Sequence, residues 1–528
     1  MAGARTNKGL MTRLIRVITG ALAALLVVAA AAACTSGPPA ASADSGDGGA
    51  VTASGPHPTT IAAYYAQKLA WKACDKGFEC ARLYVPFDYA RPAGPAFSLP
   101  VVKLPAAKPR ERIGALVINP GGPGGSGVQY ALGARSGEFT PAVLDRFDIV
   151  GFDPRGVGGS LPALHCVTGS QLDRYLAVNE APIGAAQLAA VVAANKGFTQ
   201  DCERNAGALL PYVGTASSAR DMDILRAALG ESRLTYLGKS YGTVLGASYA
   251  QQFPSRVRAL VLDGALAPGL SGPTLDINQA QGFSVAFGQF AHWCAAQAEC
   301  PLPADQEQAV TKVNDLVTAA NARPLANQAT MQTADGAMVL LGVAAALYSK
   351  QEWPYLRDAL ENAFGDQDGT ILVELADNLE GRNPNGTYTN LVDVGTAVDC
   401  VDWPYPKALA TWQAAAVTAA KASPMFGPSL LWGSLPCAYW PVKASPVLTG
   451  ASVGHQSAHP VLVVGDLKDP ATPYAWAQAL ARWLRPGVLL GWNGEGHTSY
   501  MEGSTCVNDA VDAYLINLTV PHNGTICP

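Results

Sequence analysis

Residues Arg233 to Gln252 read R-L-T-Y-L-G-K-S-Y-G-T-V-L-G-A-S-Y-A-Q-Q. Leu234, Thr235, Tyr236 and Leu237 form a short apolar run with the β-prone side chains of a buried strand. Gly238-Lys239-Ser240-Tyr241-Gly242 follows at once, then a small-residue helical stretch to about Gln252, closed by Pro254. The pattern is G-x-S-x-G between a strand and a helix, which holds a serine on a strained turn at the top of a sheet. Gly238 and Gly242 flank the turn, where a Cβ would collide with the neighbouring strand or helix. The helix N-terminus beneath the serine adds positive partial charge where an oxyanion would form. Alone, the pentapeptide describes a glycine-rich turn with an incidental serine equally well, so its context decides.

Upstream, Gly114 to Asn119 (G-A-L-V-I-N) reads as a buried strand and runs into Pro120-Gly-Gly-Pro-Gly-Gly-Ser-Gly127. A phosphate-cradling loop would end in G-K-[ST], which is missing, and the two prolines remove donors that a phosphate nest needs. An oxyanion-hole loop fits better, with the bare N–H of Gly122 brought close to a substrate carbonyl. Phe147 to Phe152 is a second buried strand, and Asp153-Pro-Arg-Gly156 after it reads as a structural turn with an ion pair. Val257 to Asp263 is the strand after the elbow. Strands alternating with helices at this spacing predict a mostly parallel sheet covered by helices on both faces.

The pattern changes after Gly264. From about 269 to 454 the sequence is mostly helical (279–294, 304–322, 355–364 and 408–422), without clean buried strands. This predicts a helical cap inserted between two strands of the sheet, which resumes at His459–Gly465 and Val488–Trp492. The expected organisation is a leader over 1–33, a tether over 34–60, core over 61–268, cap over 269–454 and core again over 455–528.

Composition agrees. At 528 residues with 49% hydrophobic and 15% charged, the chain can bury a sizeable core, and a net charge of -5 without a basic run argues against nucleic acid. Arg5, Lys8, Arg13 and Arg16 precede an apolar run from Val17 to Ala33, the layout of an export signal. Ala31-Ala32-Ala33-Cys34 resembles a lipobox with Ala in place of Leu, so lipidation of Cys34 is the expectation and plain secretion the alternative. Membrane contact would then run through that lipid alone. Thr35 to Pro58 is a Gly-, Pro-, Ala- and Ser-rich tether. Setting Cys34 aside leaves an even ten of the eleven cysteines, suited to disulfides in an exported protein. Connectivity does not follow from sequence; nearest-neighbour pairing would join Cys74/Cys80, Cys166/Cys202, Cys294/Cys300, Cys400/Cys437 and Cys506/Cys527. No C-x-x-C occurs, and His455 and His459 beside Pro460 precede a strand, so no metal role is assigned.

A serine hydroxyl needs a base within reach and a third group to orient that base. Of the seven histidines only His497 follows a late strand, in Gly494-Glu-Gly-His497. The acid is expected in the preceding loop, Asp466-Leu-Lys-Asp469-Pro-Ala-Thr-Pro473, where Asp469 is preferred because Asp466 lies too near the strand end. Asp263 is the runner-up. The predicted triad is Ser240, His497 and Asp469, with the N–H groups of Gly122 and Tyr241 as oxyanion donors and no cofactor.

These pieces together resemble the exported actinobacterial α/β-hydrolases of the tripeptidyl aminopeptidase type, related to prolyl iminopeptidase. The resemblance rests on Asn119–Gly127, Asp153–Val157, Gly238–Gly242, Gly465–Pro473, Gly496-His497 and the tail Cys506–Cys527, and covers the chain from about Ile61. Prolyl iminopeptidases have His where this chain has Pro120. The resemblance implies an α/β-hydrolase fold and an aminopeptidase releasing short peptides; a carboxylesterase with the same triad and a binding protein with a decayed site are the rivals. Recognition of a free N-terminus needs a carboxylate outside the triad. Ala397-Val-Asp399-Cys-Val-Asp402-Trp403 in the cap is the candidate, with Asp402 the closer match to relatives and Asp399 beside it.

Overall fold

The computed structural model describes residues 56–179, 181–182, 184–330, 332–450 and 459–528. The expected leader, Cys34, most of the tether and His455 lie outside the described residues. Ten strands form one sheet: β1 (Lys72–Ala73), β2 (Glu79–Pro86), β3 (Ala96–Leu104), β4 (Gly114–Asn119), β5 (Phe147–Phe152), β6 (Leu234–Lys239), β7 (Val257–Asp263), β8 (Val461–Asp466), β9 (Gly487–Trp492) and β10 (Thr525–Cys527). Their order is β1-β2-β3-β5-β4-β6-β7-β8-β9-β10. The pairs from β5 through β4, β6, β7, β8 and β9 to β10 are parallel, while β1, β2 and β3 join antiparallel at one edge.

Burial explains the composition of these strands. Every residue of β4, β5, β6 and β8 is buried, as parallel strands covered on both faces require. Alternate residues serve opposite faces: Ala115 and Val117 pack with Tyr236 and Leu260, while Leu116 and Ile118 pack with Leu237 and Val261.

Between β7 and β8 the described chain forms helices and no sheet strand. The principal helices are Gly272–Ala295, Gln306–Ala322, Gly336–Ala346, Trp353–Gly365, Thr370–Glu380, Leu391–Asp402 and Leu409–Ala422. Asp305 and Asp335 cap two of them by accepting the N–H of Gln308 and Met338. This insertion has its own core of Phe283, Phe287, Phe290, Val339, Trp353 and Leu372, which Ala471 beyond β8 joins. Among the described residues no helix is long and apolar enough to cross a membrane.

Five disulfides join Cys74–Cys80, Cys166–Cys202, Cys294–Cys300, Cys400–Cys437 and Cys506–Cys527, the nearest-neighbour pairing. The turn after β5 is structural. Arg155 is buried and donates to Asp221 at 2.7 and 2.5 Å and to the carbonyls of Pro86, Phe87 and Tyr212. Asp153 accepts from the Ser126 hydroxyl at 2.5 Å and from the N–H of Val128 and Gly159, which pins the end of the glycine-rich loop.

Candidate active site

Ser240, Asp469 and His497 all lie beyond the C-terminal ends of parallel strands of the sheet, β6, β8 and β9, the rim where open α/β sheets place their ligands. Ser240 follows β6 directly and has φ of 54°, a left-handed conformation that a non-glycine residue adopts only when its surroundings force it. The force is visible. The Ser240 N–H is tied to the Asp263 carbonyl at 2.8 Å, and the helix Gly242–Gln252 starts two residues later.

The Asp469 carboxylate meets His497 Nδ1 at 2.9 and 3.0 Å. It also accepts the N–H groups of Ala471 and Thr472 and the Thr472 hydroxyl, each at 2.8 Å, so its orientation is fixed independently of the histidine. His497 Nε2 is buried and has no hydrogen-bond partner. The structure therefore joins Asp469 to His497 and does not join Ser240 to His497 by a hydrogen bond. The two remain neighbours through Gly264: a Cβ built there would lie 3.1 Å from His497 Cε1, one residue beyond the carbonyl that holds Ser240. Nucleophile–base contacts are commonly longer without substrate.

The other acids are occupied elsewhere. Asp263 is fully buried and directs its carboxylate to the N–H groups of Ser499 and Tyr500 at 2.8–3.0 Å. Asp466 accepts the Lys468 N–H at 2.8 Å and leaves Oδ2 buried and unpaired. Burial, reinforced by the nearby carboxylates of Asp469 and Glu495, pushes its pKa up to about 8.

Gly121, rather than Gly122, lies against the elbow: a Cβ there would come within 2.8 Å of Ser240 Cβ and 3.1 Å of the Tyr241 nitrogen. Its own N–H is taken by Asn119 Oδ1 at 3.0 Å. The N–H groups of Gly122 and Tyr241 have no acceptor among the described residues. The helix Leu391–Asp402 meets this loop backbone to backbone at two points, with Gly124 against the Leu391 carbonyl and Gly395 against that of Pro123.

Asp402 departs from the expectation that it offers a carboxylate to a ligand. It is 2% exposed, and both its oxygens accept the Thr215 N–H at the start of the helix Thr215–Ala228, at 3.2 and 3.1 Å. The Thr215 hydroxyl also bonds to Asp402 and links it to the Tyr241 phenol. A carboxylate capping a helix N-terminus is stabilised by the dipole, yet burial still pushes its pKa up to about 7. Asp399, one turn on from Gly395, has a carboxylate without a hydrogen-bond partner among the described residues. Burial first, and the charge of Asp402 second, hold its carboxyl well above the usual range. Asp276 stands near it, bonded to Tyr405 and Ser434 at 3.1 Å through Oδ1 and unpaired at Oδ2. No lysine or arginine pairs with these three acids among the described residues. Sequence reasoning had no signal for Asp276 or Thr215, since both join the site only through long-range packing. Among the described residues no cluster of His, Cys, Asp and Glu is disposed to hold a metal.

The model of the alpha/beta hydrolase fold family matches residues 114–504. The chain belongs to the α/β-hydrolase fold family. This α/β-hydrolase is 38% identical over 462 residues to the serine protease Hip1 of Mycobacterium tuberculosis, covering 85% of this chain and 87% of that one. It is 37% identical over 494 residues to carboxylesterase B of the same organism, with 91% and 94% covered. Against the tripeptidyl aminopeptidase of Streptomyces coelicolor it is 32% identical over 458 residues, with 84% and 83% covered. The protein is a serine hydrolase.

Proposed function

We propose that this α/β-hydrolase is an exported serine exopeptidase that releases short peptides from free N-termini through an acyl-enzyme on Ser240. The observation that carries this is the pairing of His497 Nδ1 with a rigidly held Asp469, which leaves Nε2 free near the strand end bearing Ser240. Ser240 Oγ attacks the scissile carbonyl while Nε2 takes its proton. The C–N bond then breaks and the proton passes to the leaving amine. Water, deprotonated by the same Nε2, splits the acyl-enzyme and returns the hydroxyl to Ser240. The free N–H groups of Gly122 and Tyr241 would stabilise the tetrahedral oxyanion, each such donor contributing about 10²–10³ in rate.

Asp399 is assigned the substrate ammonium, because a half-buried carboxylate without a partner still reaches solvent and gains from a cation. Asp402 serves it indirectly, by fixing the helix that carries both. Relatives named serine protease and tripeptidyl aminopeptidase support the peptidase reading. The relative named carboxylesterase B supports ester hydrolysis as a second reading. Five disulfides support export, and the lipobox-like segment supports a lipid on Cys34, which intact-mass measurement of the membrane fraction would test.

Free tripeptide anilides, their N-acetylated copies and short-chain nitrophenyl esters, compared with one preparation, test the substrate assignment. An aminopeptidase turns over the free peptides far better than the acetylated ones. Equal rates on the two peptides, with esters much faster, would replace the reading with the esterase. Ser240→Ala should abolish fluorophosphonate labelling; labelling that survives at another serine would remove Ser240 from the site.

A further inference from the structure

The insertion touches the histidine loop along three consecutive residues. The Tyr348 carbonyl accepts the His497 N–H at 2.7 Å, and Ser349 forms an antiparallel bridge with Gly496. The Tyr348 ring stands edge-on to the imidazole, with centroids 5.3 Å apart and planes at 88°. Next along both segments, Lys350 pairs with Glu495 at 2.9 Å, and the second Glu495 oxygen takes Lys468, the neighbour of Asp469, at 2.8 Å. Gly496 is shaped to this contact. Its φ is 134°, and a Cβ there would stand 3.0 Å from the Tyr348 carbonyl oxygen.

The strand end therefore provides only one side of the support for His497. Asp469 fixes Nδ1 and takes the Thr498 N–H at 3.3 Å, and Asp263 holds the N–H groups of Ser499 and Tyr500, but these contacts from the core reach the loop backbone only from Thr498 onward. The hydrogen bond to the His497 N–H, the bridge at Gly496 and the Lys350–Glu495 pair come from the insertion, whereas Lys468 holds Glu495 from the loop after β8.

We propose that Tyr348 is a positioning residue for His497, so that the segment Tyr348–Lys350 makes the insertion part of the catalytic scaffold. This rests on the reading of His497 as general base. A base displaced by about 1 Å can cost on the order of 10² in rate. The loss would fall on every acyl substrate, including those too small to reach any subsite on the insertion.

The test uses Tyr348→Ala and Tyr348→Phe in the full chain, with nitrophenyl acetate, a free tripeptide anilide and a fluorophosphonate inactivator. Tyr348→Ala should lower kcat on ester and peptide by the same factor, roughly 10–100-fold, slow inactivation equally and leave KM for the acetate unchanged. Tyr348→Phe, which keeps the ring, should restore kcat to within about 3-fold of the parent. A rise in peptide KM with unchanged ester kcat would overturn the proposal and make Tyr348 a wall of the cleft. Should Tyr348→Ala fail to fold, Glu495→Gln cuts both ion pairs of the loop and should cost about 3-fold in kcat on both substrates. No change on either would also overturn the proposal. His497→Ala separates the two readings, because full activity in that variant rejects the general base itself, whatever Tyr348 does.

Discussion

The Asp263 carbonyl accepts the N–H of Ser240 at 2.8 Å, linking the end of β7 to the elbow after β6. Its carboxylate meanwhile holds the N–H groups of Ser499 and Tyr500, two and three residues beyond His497. One residue therefore fixes the separation between the proposed nucleophile and the loop of its proposed base. Asp263→Asn keeps one acceptor and leaves an N–H poorly satisfied, at a cost of about 1–3 kcal/mol. The expected outcome is a lower Tm with a loss of kcat of only about 10-fold, in line with a small displacement rather than loss of a triad member. A loss as deep as that of Asp469→Asn would identify Asp263 as the acid partner instead.

Asp469→Asn should fold normally, because Ala471 and Thr472 still find an acceptor at that position. The amide would favour the wrong imidazole tautomer, and kcat should drop by about 10⁴, the loss seen for the equivalent change in another serine protease. Thermal melts and single-turnover assays on the same preparation check both halves.

The two acids of the helix Leu391–Asp402 should separate cleanly. Asp399→Asn is expected to raise KM for free-amine peptides by 10-fold or more, as about 1.4 kcal/mol of lost pairing gives, while sparing nitrophenyl butyrate. Asp402→Asn should instead lower Tm and affect peptide and ester alike, because its carboxylate serves Thr215. The reverse pattern would return the ammonium to Asp402.

Asp466 links pH to stability. Its folded pKa of about 8 lies above the ordinary 3.8, so between these values the folded state holds a proton that the unfolded state has released. Stability therefore falls as pH rises through that window and levels off above it. Asp466→Asn mimics the protonated form, and its Tm should decline less than the parent's between pH 5 and 8. An unchanged slope would show that Asp466 does not carry the effect.

Ser240, Asp469 and His497 stood out as candidates in the sequence because each lies within a few residues of the end of a strand, and local punctuation by glycine and proline marks such positions. The choice between Asp399 and Asp402 was not legible. It turns on Thr215, which occupies Asp402 from 187 residues away in sequence and leaves Asp399 as the proposed partner of the substrate. The helix carrying them was also hidden, since V-D-V-G-T-A-V mixes β-branched residues and glycine and looks like no strong helix. Tyr348 gave no sign at all: its role depends on a bridge to Gly496 that only the folded chain creates.

The seat of the helix Leu391–Asp402 on the Gly121–Gly125 loop bears on how this enzyme can diversify. The contact is backbone against backbone at Gly124 and Gly395, so no rotamer there can be lengthened, shortened or recharged by point mutation. A larger residue at either position would push the helix away and carry Asp399 with it. Variation in preference among descendants of this sequence would then accumulate at side chains around that fixed wall, while the wall itself is inherited unchanged.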